Sequence, residues 1–349
     1  MVMEVQKKLF NAVKDNDLAT IKQICPKELS VGNGGIVDLN GIDEERGYTP
    51  LGAAIVFGHT DIATHLCKVP SVDVNAVDKN GASPLCIAAR EGDMAMAKHL
   101  CGIDGVEVNK RDNFGDSPLI IAALLGHITT VKVLAAAKGI DVNIVHKKRG
   151  TPLCTAARNG NEEVVNYLSQ LENVDVNLAG DNGNSPLLLA TWYARYNTLK
   201  YLVRVKRVDI NYRNTIDGDT ALHYAARRTK LKSVKILLQH ENIEVWIRNN
   251  RGQTPLDIAV KNRDCFPIAL ILACKMPKIN VNKQYQHGYT LLHMTVFTED
   301  EKAMSYLCSI PGAENVMDDE GITPFDLAAQ SGTCLLYTSR AHETREDLV

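Results

Sequence analysis

The sequence predicts an all-α repeat solenoid of about ten units, each a helix–turn–helix followed by a β-hairpin loop. Two ladders carry this expectation. A Thr or Ser just ahead of a run of small and apolar residues recurs at Thr49, Ser83, Ser117, Thr151, Ser185, Thr220, Thr254, Thr290 and Thr323, at spacings of 33 to 36 residues. A second series lies eight or nine residues upstream of each: Asn40, Asn75, Asn109, Asn143, Asn177, Asn211, Trp246, Asn282 and Asn315. Independent ladders in step from Asn40 to Thr323 mark a chain built of stacked, similar pieces.

Each part of the unit has a local reason. The Thr or Ser, often followed by Pro (Thr49-Pro50, Ser83-Pro84, Thr151-Pro152), suits a helix start, because the hydroxyl caps free N–H groups and Pro is tolerated in the first turn. Leu85, Ala88 and Ala89, like Leu153, Ala156 and Ala157, lie on one helical face, and their small side chains allow close helix approach. Gly58, Gly92, Gly126 and Gly160 end this first helix, where a positive φ costs glycine little. Runs such as EEVVNYLSQL and KSVKILLQH then place apolar residues at helical spacing. The VDVN segment with its Asn, Asp and Gly closes the unit as a hairpin or turn.

On these boundaries residues 1–46 read as a degenerate N-terminal unit with a Gly-rich insert, SVGNGGIVDLNG. Residues 47–320 read as eight units of about 34 residues, and 321–332 as a partial terminal unit. Residues 333–349 continue no pattern and read as a tail foreign to the array, so a longer natural protein is expected. The apolar face of the last helix (Phe325, Leu327, Ala328) is expected to lie open, since solenoids need polar capping units.

The phrases DKNGASPLCIAAREGD, GDTALHYAARR and VDVN resemble ankyrin repeats, with their T-P-L-H, A-A-x-x-G and D-V-N signatures. The likeness covers about residues 5–330. It implies a concave groove walled by hairpin tips and by the ends of the first helices, where partners of such repeats usually bind. Several departures stand out. Only His223 and His293 keep the histidine of T-P-L-H, so its hydrogen bonds are expected to be missing or replaced elsewhere. Ala221 and Leu291 replace Pro, Arg149 sits where a hairpin Gly is expected, and Trp246 replaces the ladder Asn. The units around 146–155 and 215–255 are therefore expected to be weaker or specialised.

Composition narrows the function classes. The chain is 45% hydrophobic and 23% charged, as folded soluble proteins are, and only 5% aromatic, so an exposed ring is informative. No apolar run is long enough to span a bilayer. The nine cysteines contain no C-x-x-C; Cys67, Cys101 and Cys308 share one repeat position and Cys86 and Cys154 another. Buried reduced thiols are expected, hence a cytoplasmic protein, with the nucleus as the alternative. Charge is uneven. Residues 1–145 hold 14 Lys and Arg against 18 Asp and Glu, 146–263 hold 19 against 11, and 264–349 hold 6 against 12. A basic middle between acidic ends can steer an acidic partner.

No catalytic constellation emerges. The chain has no P-loop, no complete dinucleotide fingerprint, no H-E-x-x-H and no paired C-x-x-C, and the Ser of GASPL, GDSPL and GNSPL is the helix cap rather than a nucleophile. No enzyme activity, metal or cofactor is expected. Surface is what remains. The positions seven and eight residues after each Thr or Ser face the expected groove: Val56-Phe57, Arg90-Glu91, Leu124-Leu125, Arg158-Asn159, Trp192-Tyr193, Arg227-Arg228, Lys261-Asn262 and Phe297-Thr298. Apolar and cationic pairs alternate. Hairpin tips add Lys147, Lys148 and Arg149, along with Lys110, Arg111, Arg213, Arg248 and Arg251. Trp and Arg are enriched among binding hot spots. Local packing of Trp192 and Tyr193 against the next helix is the competing expectation, because Ala194 replaces the terminating Gly.

The sequence thus reads as a monomeric, non-catalytic scaffold or adaptor binding other proteins, with an acidic segment carrying apolar anchors as the expected partner. Two alternatives stand beside it: the ankyrin arm of a longer enzyme or channel, and binding of nucleic acid or anionic lipid through the basic middle. Nucleic acid is disfavoured because few aromatics interleave the cations.

Overall fold

A computed structural model describes residues 2–25, 37–276 and 278–331. Most of the Gly-rich insert and the 333–349 tail lie outside the described residues. The chain divides into two compact units, residues 1–186 and 187–349.

The first unit holds five helix pairs: α1 (Val2–Lys14) with α2 (Leu18–Ile24), α3 (Pro50–Val56) with α4 (Thr60–Leu66), α5 (Pro84–Glu91) with α6 (Met94–Cys101), α7 (Pro118–Leu125) with α8 (Ile128–Ala135), and α9 (Pro152–Asn159) with α10 (Glu162–Gln170). The second begins with α11 (Pro186–Trp192) and α12 (Tyr196–Leu202), followed by α13 (Ala221–Arg227) with α14 (Leu231–Leu237) and α15 (Pro255–Ala259) with α16 (Phe266–Ala273). It ends with α17 (Leu291–Thr298), α18 (Glu301–Cys308) and α19 (Pro324–Ser331). First helices pack on first helices and second on second, as α3, α5, α7 and α9 do in succession. Ala54, Ala88, Ala89, Ala122, Ala123, Ala156 and Ala157 have no exposed surface, so these helices meet over small side chains.

The caps form as the sequence predicts. Thr49 Oγ1 accepts the Gly52 N–H at 3.1 Å, Ser83 Oγ that of Cys86 at 3.3 Å, and Thr151 Oγ1 that of Cys154 at 3.1 Å. The missing histidine bonds are replaced. His223 accepts the Thr220 N–H on Nδ1 at 3.1 Å and donates from Nε2 to the Gln253 carbonyl at 2.8 Å. At the same position Cys86 donates its thiol to the Lys110 carbonyl at 3.5 Å, and Cys154 to that of Leu178 at 3.3 Å. Asp257 accepts the Thr254 N–H at 3.0 Å, closing a capping box.

The hairpin loops differ from expectation. Among the described residues no strand forms, and the one bridge is His146 with Gly150. Most of these loops, here called fingers, are closed by a side chain folding back on the backbone. Asp78 Oδ1 accepts the N–H groups of Asn80 and Ala82, and Asp112 Oδ1 those of Phe114 and Asp116. Short polar side chains supply these bonds locally, so a strand ladder is unnecessary. The finger at 146–150 lacks an Asp, and His146 Nδ1 takes over, accepting from Lys148 N at 3.0 Å and Arg149 N at 2.9 Å.

Fingers are tied one to the next. Asn113 N donates to the Asn80 carbonyl at 2.9 Å, and Asn250 N to that of Asp217 at 2.9 Å. Gly81 is needed there, for a Cβ would lie 2.9 Å from the Asn113 nitrogen. The Asn ladder forms a second tie. Asn75 donates to the Gly105 carbonyl at 2.8 Å while accepting the Glu107 N–H at 2.9 Å, and Asn109 does the same with Gly139 and Asp141. At the C-terminal end Ala328 is buried and Leu327 half-buried against Val296 and Met304, while Phe325 is half-buried.

Candidate interaction surface

The positions that the period leaves free gather at the ends of the first helices. In residues 1–186, Val56 closes α3 and Phe57 is its C-cap, both half-buried. The Arg46 guanidinium lies 5.1 Å from the Phe57 ring centre. Leu124 is half-buried, whereas Leu125, the last residue of α7, is 48% exposed. Arg158 is half-buried on α9.

The cations here are partly committed to the fold. Arg90 reaches the buried Asp112 at 3.6 Å, and Arg149 reaches the buried Asp116 at 3.0 Å. Burial raises the Asp116 carboxyl above its ordinary value, against the pull of Arg149 and His146. Lys147 and Lys148 stay exposed.

In residues 187–331, Trp192 is half-buried and Tyr193 is 38% exposed. Trp192 makes an edge contact with Tyr224 of α13 at 5.1 Å, and Arg228 stacks over it at 4.8 Å. Such contacts contribute about 0.5–1.5 kcal/mol each. The turn after α11 is not rearranged. Ala194 takes φ 54°, the left-handed value of the glycines it replaces. Arg227 and Arg228 are both exposed yet differ in role, because Arg227 pairs with the fully buried Asp219. Lys261 does not sit on a helix end. α15 stops at Ala259, Arg263 takes the place of the terminating Gly, and a 3-10 turn (Arg263–Cys265) follows, leaving Lys261 and Asn262 exposed in the connection.

Sequence reasoning missed two features. One is the arginine laid over an aromatic: Arg46 on Phe57, Arg228 on Trp192, and Arg263 on Phe297 at 4.8 Å. These partners lie at irregular separations in the chain, so no spacing announces them. The other is Phe114, 66% exposed at a finger tip. Its signal was present in DNFGDSP, where an apolar residue occupies a tip position.

Chemistry is otherwise quiet. Burial pushes the thiols of Cys25, Cys67 and Cys86 up to about 11, which keeps them protonated and unreactive at neutral pH. Among the described residues, no group of three His, Cys, Asp or Glu side chains could hold a metal ion. No described helix is long and apolar enough to cross a membrane.

Paired helices stacked in series, capped fingers and exposed side chains at fixed places define a class, the repeat proteins that act generally as protein–protein interaction modules. The chain belongs to the ankyrin repeat family. The profile for three-copy ankyrin repeats matches residues 69–146, 119–214 and 198–285, and that for the single ankyrin repeat matches 46–79. Mouse (Mus musculus) Rabankyrin-5 is 28% identical over 119 residues, which are 34% of this chain and 10% of that protein. Mouse ankyrin repeat domain-containing protein 53 is 31% identical over 78 residues, 22% of this chain and 16% of that protein. The chain thus aligns with only a small part of either relative. The crystal structure of the ankyrin repeat domain of Bcl-3, a member of the IkappaB family, covers 61% of this chain and is itself covered to 95%, with a TM-score of 0.56 at 22% identity. That of the human ASB11 ankyrin repeat domain covers 67% and is covered fully, with a TM-score of 0.55 at 26% identity.

Proposed function

We propose that this chain is a non-catalytic scaffold or adaptor that holds a partner protein against the ends of its first helices. One observation carries the reading. Leu125, Tyr193 and Phe297, all at the same two places in the repeat, remain 36–48% exposed in a chain otherwise poor in aromatics. The fold does not need large apolar side chains there, since Arg90, Arg158 and Arg227 occupy the place of Phe297, and Glu91, Asn159 and Arg228 that of Leu125 and Tyr193. Exposed apolar surface of this kind marks contact sites, and aromatic side chains with arginine neighbours make strong anchors.

The partner's expected chemistry is an acidic segment with apolar side chains, matching the cations interspersed with those anchors. Arg228 is the contact candidate among them, while Arg227, Arg90 and Arg149 serve buried carboxylates first. Binding of nucleic acid or anionic lipid is the weaker reading, because finger arginines spend donors on the backbone: Arg111 on the carbonyls of Gly115 and Val145, Arg248 on that of Gly252.

The test uses peptides selected on the wild-type protein from a displayed random library. Leu125→Asp and Tyr193→Ala should weaken their binding at least tenfold while leaving the melting temperature nearly unchanged. Unaltered binding in both variants would remove the helix-end positions from the account.

A further inference from the structure

In residues 1–186 the finger edge shows a separation of charge that the repeat does not require. Asp78, Asp112 and Asp116, the carboxylates of the fingers at 78–82 and 112–116, are all buried. Asp78 and Asp112 accept finger N–H groups, and Asp112 and Asp116 pair with Arg90 and Arg149. The cations of this stretch are on the outside. Lys79, Arg111, Lys147 and Lys148 are exposed, and none forms an ion pair with a described residue.

Phe114 stands among them, the most exposed large apolar side chain of the described residues at 66%. The finger uses only its backbone. The Phe114 N–H donates to Asp112 and its carbonyl accepts from His146 Nε2 at 2.8 Å. Asn80, Lys148, Ile216, Arg251 and Glu320 hold the same place, each donating its N–H to the side chain two residues earlier. Such variety shows that the fold leaves this side chain unspecified. Val77, at the head of the preceding finger, is also exposed, at 39%.

We propose that this edge, Val77 to Lys148, docks an acidic, extended segment of a partner protein. The segment sets apolar side chains against Phe114 and Val77, and carboxylates opposite Lys79, Lys147 and Lys148. The proposal rests on the protein-binding reading above and adds a second place of contact with its chemistry. Charge complementarity gives the sign, since the carboxylates within 78–82, 112–116 and 146–150 are buried and the exposed charges there are positive, the exposed Glu107 and Asp141 lying in the linkers before the tips. A bilayer fits less well. Even a single fourteen-carbon acyl chain holds a membrane only marginally, and one phenyl ring buries far less.

The test is a selection of random dodecapeptides on the full chain, with each survivor re-measured on Phe114→Ser and on the double variant Lys147→Glu/Lys148→Glu. All three side chains are exposed, so folding should be unchanged, and the melting temperature is read alongside. The expected result is a set of peptides rich in Asp and Glu with one or two large apolar residues, weakened at least tenfold by either change and weakened by salt. Finger-dependent peptides that are neutral or basic would overturn the proposal. So would a set that depends on Leu125 and Tyr193 alone, which would leave the helix-end reading standing. Peptides that depend on neither site would overturn both. Phosphatidylserine vesicles, sedimented with wild type and both variants, form the other arm. Tight binding lost on Phe114→Ser would assign the edge to a membrane and overturn the acidic segment.

Discussion

Arg227 and Arg228 are adjacent, identical and both exposed, yet the fold treats them differently. Arg227 neutralises Asp219, a carboxylate with no exposed surface whose other oxygen accepts from Asn249 at 2.6 Å. Removing one partner of such a pair leaves a buried charge underserved, which costs more than an exposed contact is worth. Arg227→Ala should therefore destabilise the protein by about 1–3 kcal/mol, and Arg228→Ala, which loses a stacking contact on Trp192, by no more than about 1 kcal/mol. Denaturant unfolding of the two variants checks the order. The sequence showed both residues as groove cations, because what separates them is a carboxylate eight positions away whose burial only the folded chain reveals.

Among elements, the turns between paired helices were legible almost residue by residue. Gly58, Gly92, Gly126 and Gly160 all take φ between 71° and 82°. Ala194, Thr229 and Glu299 occupy the same place at φ 51–55°, so the turn is kept where its preferred residue is lost. Stacking on neighbouring helices holds these residues in a conformation costly for anything with a Cβ. Ala194→Gly should accordingly stabilise the protein by about 0.5–1 kcal/mol, the relief of strain exceeding the entropy that glycine adds to the unfolded chain. A lowered melting temperature would show that Ala194 is unstrained. The fingers were less legible. D-x-N-G suggested a strand pair, but Asp, Asn or His side chains close the loop instead, and His146 in that role follows no motif.

For the whole molecule, the period determines the architecture and leaves the surface free. Helix starts, small packing faces and inter-repeat asparagines all follow from spacing. The arginine–aromatic stacks and Phe114 do not, since they join residues that the repeat does not constrain. One global property follows from a repeat residue. Burial lowers the His223 imidazole below its ordinary value of 6.5, against the Gln253 hydrogen bond. Below that pH the unfolded chain takes up a proton that the folded chain refuses, so stability should fall as pH drops from 6.5 toward the folded value. His223→Asp keeps the capping geometry that Asp257 shows and should flatten this slope in denaturant titrations between pH 7 and about 5.

The central claim is that partners bind at helix ends and fingers, the side chains that the repeat leaves unspecified. Amide hydrogen exchange of the full chain, with and without a selected library peptide, tests it most directly. Exchange should slow in the turns after α3, α7 and α11 and in the finger at 112–116, with α6, α8 and α10 unchanged. Protection confined to those second helices would contradict it.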